Sequence, residues 1–440
     1  MKLLRRMWNS RRPRRPSVSS RGSNARGYRR CRLEAMEPRL YLSASPIQAG
    51  MIYYEDAGGN DAVGDTLEIT FQGGSPGTQL TRLVMETDKL GDGLTIGDTF
   101  FDTAPGGLGA FGAVPFAVVS QSGIDDYRVA VEDGGTTLVL EFTGFDAGDR
   151  FVFSIDVDEM GFLGPNAVAE GNEFEGSRLH VAFAAPHYYE AAGTDVFLDA
   201  YDANLDRSGL ELPPDSYLPP LDSPHPVRTA GAFLELEQVP LPVRIAGKVF
   251  VDPNLNNRTD ADEPGLPGVT VQLWREEAGS YAFVAQTVTD AAGNYRFEDL
   301  TPGTYRLVEM QPSGYLSVGA RAGTVEGNAR GSVADADTIT AITLLGGEES
   351  LRNDFAEVQP ASLAGHVYHD ADDDGARESS ESGIPGTTIR VTRAADAFSA
   401  AMTFETATQP DGSWSVTGLY PGLYTVEEVQ PGGYLDGKDA

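Results

Sequence analysis

The feature that most constrains this chain is an internal repeat. IAGKVFVDPNLNNRTDADEPGLPGVTV, beginning at Ile245, returns as LAGHVYHDADDDGARESSESGIPGTTI from Leu363, at a constant offset of 118 residues. A second block, DAAGNYRFEDLTPGTYRLVEMQPSGYL, returns at an offset of 119 as QPDGSWSVTGLYPGLYTVEEVQPGGYL. A single inserted residue over such a span implies two copies of one folding unit, so whatever one copy forms the other should form as well.

Each copy has β logic. Gly293 and Gly412 stand where a hairpin turn needs a permissive backbone, and the strands that follow alternate Tyr295/Phe297 and Trp414/Val416 on one face. Pro302-Gly303 and Pro421-Gly422 turn the chain into a further strand, with Tyr305/Leu307 and Tyr424/Val426 expected to point inward. Those aromatic residues therefore read as core rather than as a sugar-binding platform.

Upstream, residues 47–240 carry a different set of alternating runs, among them TLEITF, TRLVMET, YRVAVED, TTLVLEF, RFVFSIDV and SRLHVAF, separated by Gly/Asp turns. Seven or more such runs predict a β-sandwich or jelly-roll-like domain. The Pro-rich ELPPDSYLPPLDSPHPVR from Glu211 reads as a linker or edge excursion, and AGAFLELEQV from Ala230 as a strand returning to the sandwich. With 51 glycines and 27 prolines and few helix-period stripes, the expected class is all-β. The domain reading is a basic leader at 1–46, a β-sandwich of unknown ligand at 47–240, one repeat at 244–359 and a second, incomplete repeat at 360–440.

The two loops that follow Gly-x-Val-[Phe/Tyr]-x-Asp carry the chemistry. Asp370, Asp372, Asp374, Gly375, Ala376, Glu378 and Glu381 fit the twelve-residue template D-x-[DN]-x-[DN]-G-x5-E. Carboxylates at the first, third and fifth positions, the Ala376 carbonyl at the seventh, Glu378 at the ninth and a bidentate Glu381 form an all-oxygen shell suited to Ca2+. In the first copy the same register gives Asp252, Asn254, Asn256, the Arg258 carbonyl, Asp260 and Glu263, with Asn257 in the place of glycine. Asparagine tolerates left-handed backbone better than most residues. With three charged ligands instead of five, the first loop is expected to be the weaker site. Solvated Asp/Asn turns are the ordinary alternative, and the flanks read as strands rather than helices; two matches in register argue for metal.

Charge agrees with this reading. The formal net charge is -32, yet up to Tyr41 there are 13 basic residues against 2 acidic, leaving 20 basic against 63 acidic beyond it. Such a body attracts cations and repels nucleic acid. Cys31 is the sole cysteine, so neither an intrachain disulfide nor a zinc-thiolate site is expected. No run approaches the roughly 18 apolar residues of a membrane span.

These residues resemble known families. Both repeats are similar to Sdr-type B domains, relatives of Cna B-type and prealbumin-like (Ig-like) β-sandwich modules, through G-x-V-[FY]-x-D, the acidic loop, G-[LI]-P-G, D-x-x-G-x-[YW] (in the second copy Pro410-Asp411-Gly412, with Gln409 at the first position), P-G-x-Y and P-x-G-Y. The resemblance implies an extracellular spacer or adhesive stalk with calcium in the loop. It also raises an intramolecular isopeptide bond in the first copy, from Lys248, Glu309 and Asn353; His366 replaces the lysine in the second. The first copy continues to a closing strand near Asn353-Asp354-Phe355, whereas six residues follow Tyr434, which suggests a fragment of something longer. At the N-terminus, Arg32-Leu-Glu-Ala-Met-Glu-Pro-Arg-Leu-Tyr-Leu-Ser-Ala-Ser resembles the LEPR-type leader of planctomycete extracellular proteins, with Tyr41 in place of the usual leucine. That resemblance implies export; a disordered or nucleic-acid-binding basic tail is the alternative reading of the same segment.

No H-E-x-x-H, G-x-S-x-G, P-loop or dinucleotide fingerprint occurs, and no enzyme is expected. Asp156, Asp158 and Glu159 suggest paired glycosidase acids but are more often surface or metal-binding groups. The expected function is a secreted or cell-surface structural or adhesive protein, its partners being calcium and an extracellular matrix component, a cell-surface protein or a polysaccharide. The alternative is a carbohydrate-binding accessory region of a larger extracellular enzyme, with Tyr188 and Tyr189 as its platform.

Overall fold

The computed structural model describes residues 45–54, 64–109, 112–161, 174–199, 229–395 and 401–437. The leader-like run, Cys31 and the Pro-rich stretch 211–228 lie outside them. The described residues form strands and turns with no helix, so the all-β class holds. None therefore forms a helix long and apolar enough to cross a membrane.

Two sheets enclose the first core. One has six strands, in the order Leu198–Asp199, Thr229–Leu236, Ser45–Tyr54, Asp65–Gly74, Arg150–Ile155 and Ala117–Ser122. The other has five: Ala191–Val196, Arg178–Ala184, Gln79–Glu86, Thr137–Thr143 and Asp126–Val131. The run from Ala230 does return, pairing antiparallel with the first strand so that Ala232 faces Met51. Between the sheets lie Tyr53, Phe71, Phe145, Phe151, Phe153, Phe183 and their neighbours, all fully buried. Alternating strands place every second side chain on this inner face. The alternation fails in Arg150–Ile155, next to the edge strand Ala117–Ser122, where Phe151, Val152 and Phe153 are all buried and both faces are therefore covered.

The first repeat is a second sandwich. Val243–Val251 lies between Asn294–Leu300, antiparallel to it, and Asp354–Val358, parallel to it. Leu316–Arg321 extends that sheet beyond Asp354–Val358. The facing sheet runs Ser280–Val288, Thr270–Glu277, Gly303–Glu309, Thr338–Leu344 and Ser332–Asp335. Tyr295, Phe297, Tyr305, Leu307 and Phe355 fill the interior.

The second repeat retains only part of this plan. Ala361–His366 pairs with Ser413–Leu419, and Met402–Ala407, Thr388–Arg393 and Tyr424–Glu428 form a three-stranded sheet. Its buried core is Val367, Ile384, Ile389, Val391 and Leu419. Here one expectation fails: Val426, aligned with buried Leu307, is exposed, and Tyr424 and Trp414 are only partly buried. In the first copy the strand Gly303–Glu309 is flanked by Thr338–Leu344. Among the described residues the strand Tyr424–Glu428 pairs only with Thr388–Arg393, and Val426 stays exposed.

The units are joined by short polar contacts. Gly346 O accepts from His187 Nδ1 at 2.7 Å, and His187 O accepts from the Leu241 N–H at 2.9 Å. Between the repeats, the Tyr420 hydroxyl donates to Ser317 O at 3.0 Å.

Candidate calcium loops

Both acidic loops are held by one backbone frame. The strand Val243–Val251 ends directly before Asp252, and the Val251 N–H donates to Pro264 O at 2.9 Å, closing the loop at its base. In the second copy the His369 N–H donates to Ser382 O at 3.0 Å. At the first position, Asp252 accepts the N–H groups of Asn256 (3.3 Å) and Asn257 (2.7 Å). Asp370 likewise accepts those of Asp374 (3.3 Å) and Gly375 (2.9 Å). At the last position, Glu263 accepts the Asp260 N–H at 2.9 Å and Glu381 that of Glu378 at 3.1 Å. Left-handed residues fall in register, Leu255 and Asn257 at φ 59° and 54°, Asp373 and Gly375 at 57° and 83°. Asn257 thus adopts the backbone conformation that the template reserves for glycine.

Electrostatics separates the two loops. In the second, carboxylate oxygens of Asp370, Asp372 and Asp374 lie within 4.8 Å of one another, as do those of Asp372, Glu378 and Glu381. The charge of Asp374 pushes the Asp372 carboxyl above its ordinary value. Desolvation, then Asp374 and Glu381, push Glu378 up, whereas the Gly375 N–H helps to hold Asp370 down. A divalent ion relieves this repulsion. The loop lies largely in solvent, Ala376 included, whose N–H donates to Asp374 Oδ1 at 2.7 Å.

In the first loop, the Asn254 and Asn256 amides both donate to Asp260 at 2.9 Å, lowering its carboxyl pKa. Two neutral amides thereby do part of what a cation would do for the acids of the other loop. To ligate a metal, these amides must turn so that their oxygens face inward. Asp252 and Glu263 are buried, and Asn256 Oδ1 and Glu263 Oε1 are buried without hydrogen-bond partners. Burial comes from the closing strands: Asn257 Nδ2 donates to Ala320 O at 3.1 Å and the Asp252 N–H to Glu357 O at 2.7 Å. Arg258, whose carbonyl is the expected seventh ligand, is exposed.

No hydrogen bond joins Lys248, Glu309 and Asn353, the isopeptide set. Asn353 is fully buried, its carboxamide donating to Ala246 O, Ser350 O and Ser350 Oγ and accepting the Gly323 N–H. Lys248 Nζ lies 3.5 Å from Glu263 O, and neither carboxylate oxygen of Glu309 has a hydrogen-bond partner. With the amide held by four partners and the amine turned to the loop, we expect intact-mass measurement to show no loss of ammonia; such a loss, removed by Lys248→Ala, would contradict this.

Of the two readings of the first sandwich's acids, surface or metal-binding groups, burial removes the first for Asp156 and Asp158. Asp156 and Asp158 are not surface groups but are each 4% exposed, gathered with Asp102, because Val157–Glu159 pairs with Thr99–Phe101 at the sandwich edge. Sequence reading missed Asp102, and it missed the turn in which Asp88 accepts the N–H groups of Gly91, Asp92 and Gly93. Its only signal was the Gly/Asp-rich run DKLGDGLTIGD. Tyr188 bridges Pro240, and the Tyr189 N–H donates to Val239 O, so both belong to the connection toward the first repeat.

Comparison with known proteins bears on the repeat region. The family described as SdrD B-like domain matches residues 243–356 and 361–439. Serine-aspartate repeat-containing protein D of Staphylococcus aureus strain Newman is 33% identical over 190 residues, covering 42% of this chain and 13% of that protein. Protein C of strain N315 is 30% identical over 187 residues, 42% of this chain and 18% of that protein. The chain thus spans under a fifth of these curated relatives. Among solved structures, a streptococcal ancillary pilin is similar at 14% identity and TM-score 0.23, over 64% of this chain and 75% of that one. The shaft pilin SpaA of Lactobacillus rhamnosus GG gives 12% and 0.19, over 44% and 90%. Both parts of the repeat region, residues 243–356 and 361–439, are thus similar to the SdrD B-like domain.

Proposed function

We propose that this chain is part of a non-enzymatic structural or adhesive protein of the cell surface or extracellular space, with calcium in the Asp252 and Asp370 loops stiffening its repeats into a stalk. The observation that carries this reading is the shared loop frame, with the same backbone donors on the first acid and the same closing glutamate in both copies. Each loop bridges the end of one strand and the start of the next segment of the sandwich, so an ion held there ties down chain that is otherwise joined only by turns. The partner-binding role then falls to the first sandwich. The face of its five-stranded sheet carries an open groove lined by Arg82, Tyr127, Arg128, Glu141, His180 and Glu190.

Calorimetric titration of the full chain with calcium tests the loop reading. Asp372→Asn removes one charge from the most crowded part of the second loop, and we expect it to weaken one class of site by about tenfold, ligand charge being what tunes such loops. Unchanged binding in the variant, or no binding in the parent chain, would sink the reading.

A further inference from the structure

The outer face of the first repeat carries a row of side chains that its core does not require. Val271, Leu273, Tyr305 and Leu307 point into the sandwich, so Trp274 and Arg306, alternating with them on the same two strands, stand on the opposite face. Trp274 lies directly across from Arg306 of Gly303–Glu309 on one side and from Phe283 of Ser280–Val288 on the other. The Arg306 guanidinium is 5.1 Å from the centroid of the Trp274 ring and 4.6 Å from that of Tyr281. A hydrogen bond between the Tyr281 hydroxyl and Thr340 Oγ1, at 2.9 Å, fixes the second ring in place. Phe283 packs edge-on against Trp274, ring centroids 5.5 Å apart, and stays 52% exposed.

In the second repeat the same row reads Thr403, Thr392 and Thr425, in the same cross-strand register. Threonine is an ordinary occupant of an outward sheet position, and Thr392 Oγ1 lies 3.2 Å from Thr403 Oγ1. The inward residues of these strands, in contrast, agree between the copies, with Leu273 matched by Val391 and Tyr305 by Tyr424, all of them in or against the cores. The folding unit therefore does not call for an aromatic row, and the first copy has one.

Its chemistry points to an anion. Arg244, Arg296 and Arg330 of the same repeat each pair with a glutamate, whereas no ion pair of Arg306 occurs among the described residues. Its Nε is buried without a hydrogen-bond partner, so recognition falls to the terminal nitrogens of a guanidinium held against two rings. That planar fork matches a carboxylate. A single cation suits a single negative charge, because beyond Tyr41 the chain has 20 basic against 63 acidic residues and repels polyanionic phosphates. On the face of a sheet the backbone N–H and C=O groups are already paired between strands, so a peptide laid there finds no partners for its own main chain. A pyranose ring brings no such groups, and its C–H face can rest on an exposed aromatic ring.

We infer that this face of the first repeat binds a carboxylated sugar of the uronic-acid class, Arg306 taking the carboxylate and Phe283 supporting the sugar ring. The repeat then contributes recognition as well as length, in addition to the groove of the first sandwich. The site needs no metal in either loop.

The test is calorimetric titration of the full chain with trigalacturonate and with its methyl ester, both in EGTA so that calcium cannot bridge probe and protein. The parent chain is expected to bind the acid, and Arg306→Gln to bind it about tenfold more weakly or less, the worth of a hydrogen-bonded charge. The ester should bind the parent no better than the acid binds Arg306→Gln. Absence of acid binding by the parent chain overturns the inference and leaves the row a stack that serves only the sheet. Equal affinity of the parent and Arg306→Gln, or of acid and ester, also overturns it. Pentaglutamate bound as tightly as trigalacturonate, with the same dependence on Arg306, overturns the assignment to a sugar. Should Arg306→Gln not fold, Phe283→Ala at its exposed position takes its place: weaker binding of the acid supports the site, and unchanged affinity overturns it.

Discussion

Calcium in the millimolar range is expected to raise the unfolding midpoint of the repeat region by roughly 10–20 °C over the same protein in EGTA. The figure follows from mass action: a ligand present at a hundred times its dissociation constant, bound only by the folded state, stabilises by about 2.7 kcal/mol. For a domain of this size each kcal/mol moves the midpoint by about 4–8 °C. Such binding would be confined to the folded state, because the acids of each loop are arranged by the left-handed residues and by the hydrogen bonds to Asp252 and Asp370. Differential scanning calorimetry with calcium and with EGTA measures the shift. Limited proteolysis provides an independent readout, since cleavage within 370–381 should slow when calcium is present. Identical midpoints and cleavage rates in both conditions would remove calcium from the account of this protein. The first loop should respond less steeply, because Asn254 and Asn256 already satisfy Asp260 without an ion.

Gly293→Ala destabilises the first repeat by about 3 kcal/mol or more, among the largest effects expected of a single methyl group. Gly293 has φ +80°, and an added Cβ would meet Val249 O at 2.3 Å and Gly265 Cα at 2.7 Å. The left-handed backbone alone costs a non-glycine residue about 1–2 kcal/mol. The remainder comes from displacing backbone between Val249 and Gly265, whose neighbours Phe250 and Leu266 anchor the base of the first loop. Gly412 repeats the arrangement, with Val367 O at 2.2 Å and Gly383 Cα at 2.6 Å. Gly314 is the control, having φ +86° but nothing within 4 Å of an added Cβ, so Gly314→Ala should show the backbone cost only, about 1–2 kcal/mol. Urea denaturation of the three variants measures the differences. Equal losses for Gly293→Ala and Gly314→Ala would mean that close approach to Val249 contributes nothing.

Much of this architecture is legible before any coordinates, because it depends on neighbours in the chain. Hairpin turns, alternating strands and twelve-residue loops are each specified within a short window, and the repeat supplies a second reading of every one. Asn257 illustrates the point, since its left-handed conformation in the glycine position follows from the template and the local backbone. The return of Thr229–Leu236 to pair with the first strand is also legible from its alternation, although the pairing spans nearly the whole sandwich.

What only tertiary structure decided lies where distant strands meet. The grouping of Glu309 with Asp337 and Glu357 depends on the pairing of Gly303–Glu309 with Thr338–Leu344 and on the placement of Asp354–Val358, so no spacing announces it. Lys248, Glu309 and Asn353 likewise share a family resemblance but no hydrogen bond with one another here. Val426 repeats the residue type of a core position yet lies exposed, because burial belongs to the strands that cover a side chain and not to the side chain itself. By itself the sequence determined the repeats, their strands and the two acidic loops, since local backbone preference and side-chain alternation act over a few residues. Which acids face one another, and which loop is sheltered, were decided by packing between segments far apart in the chain.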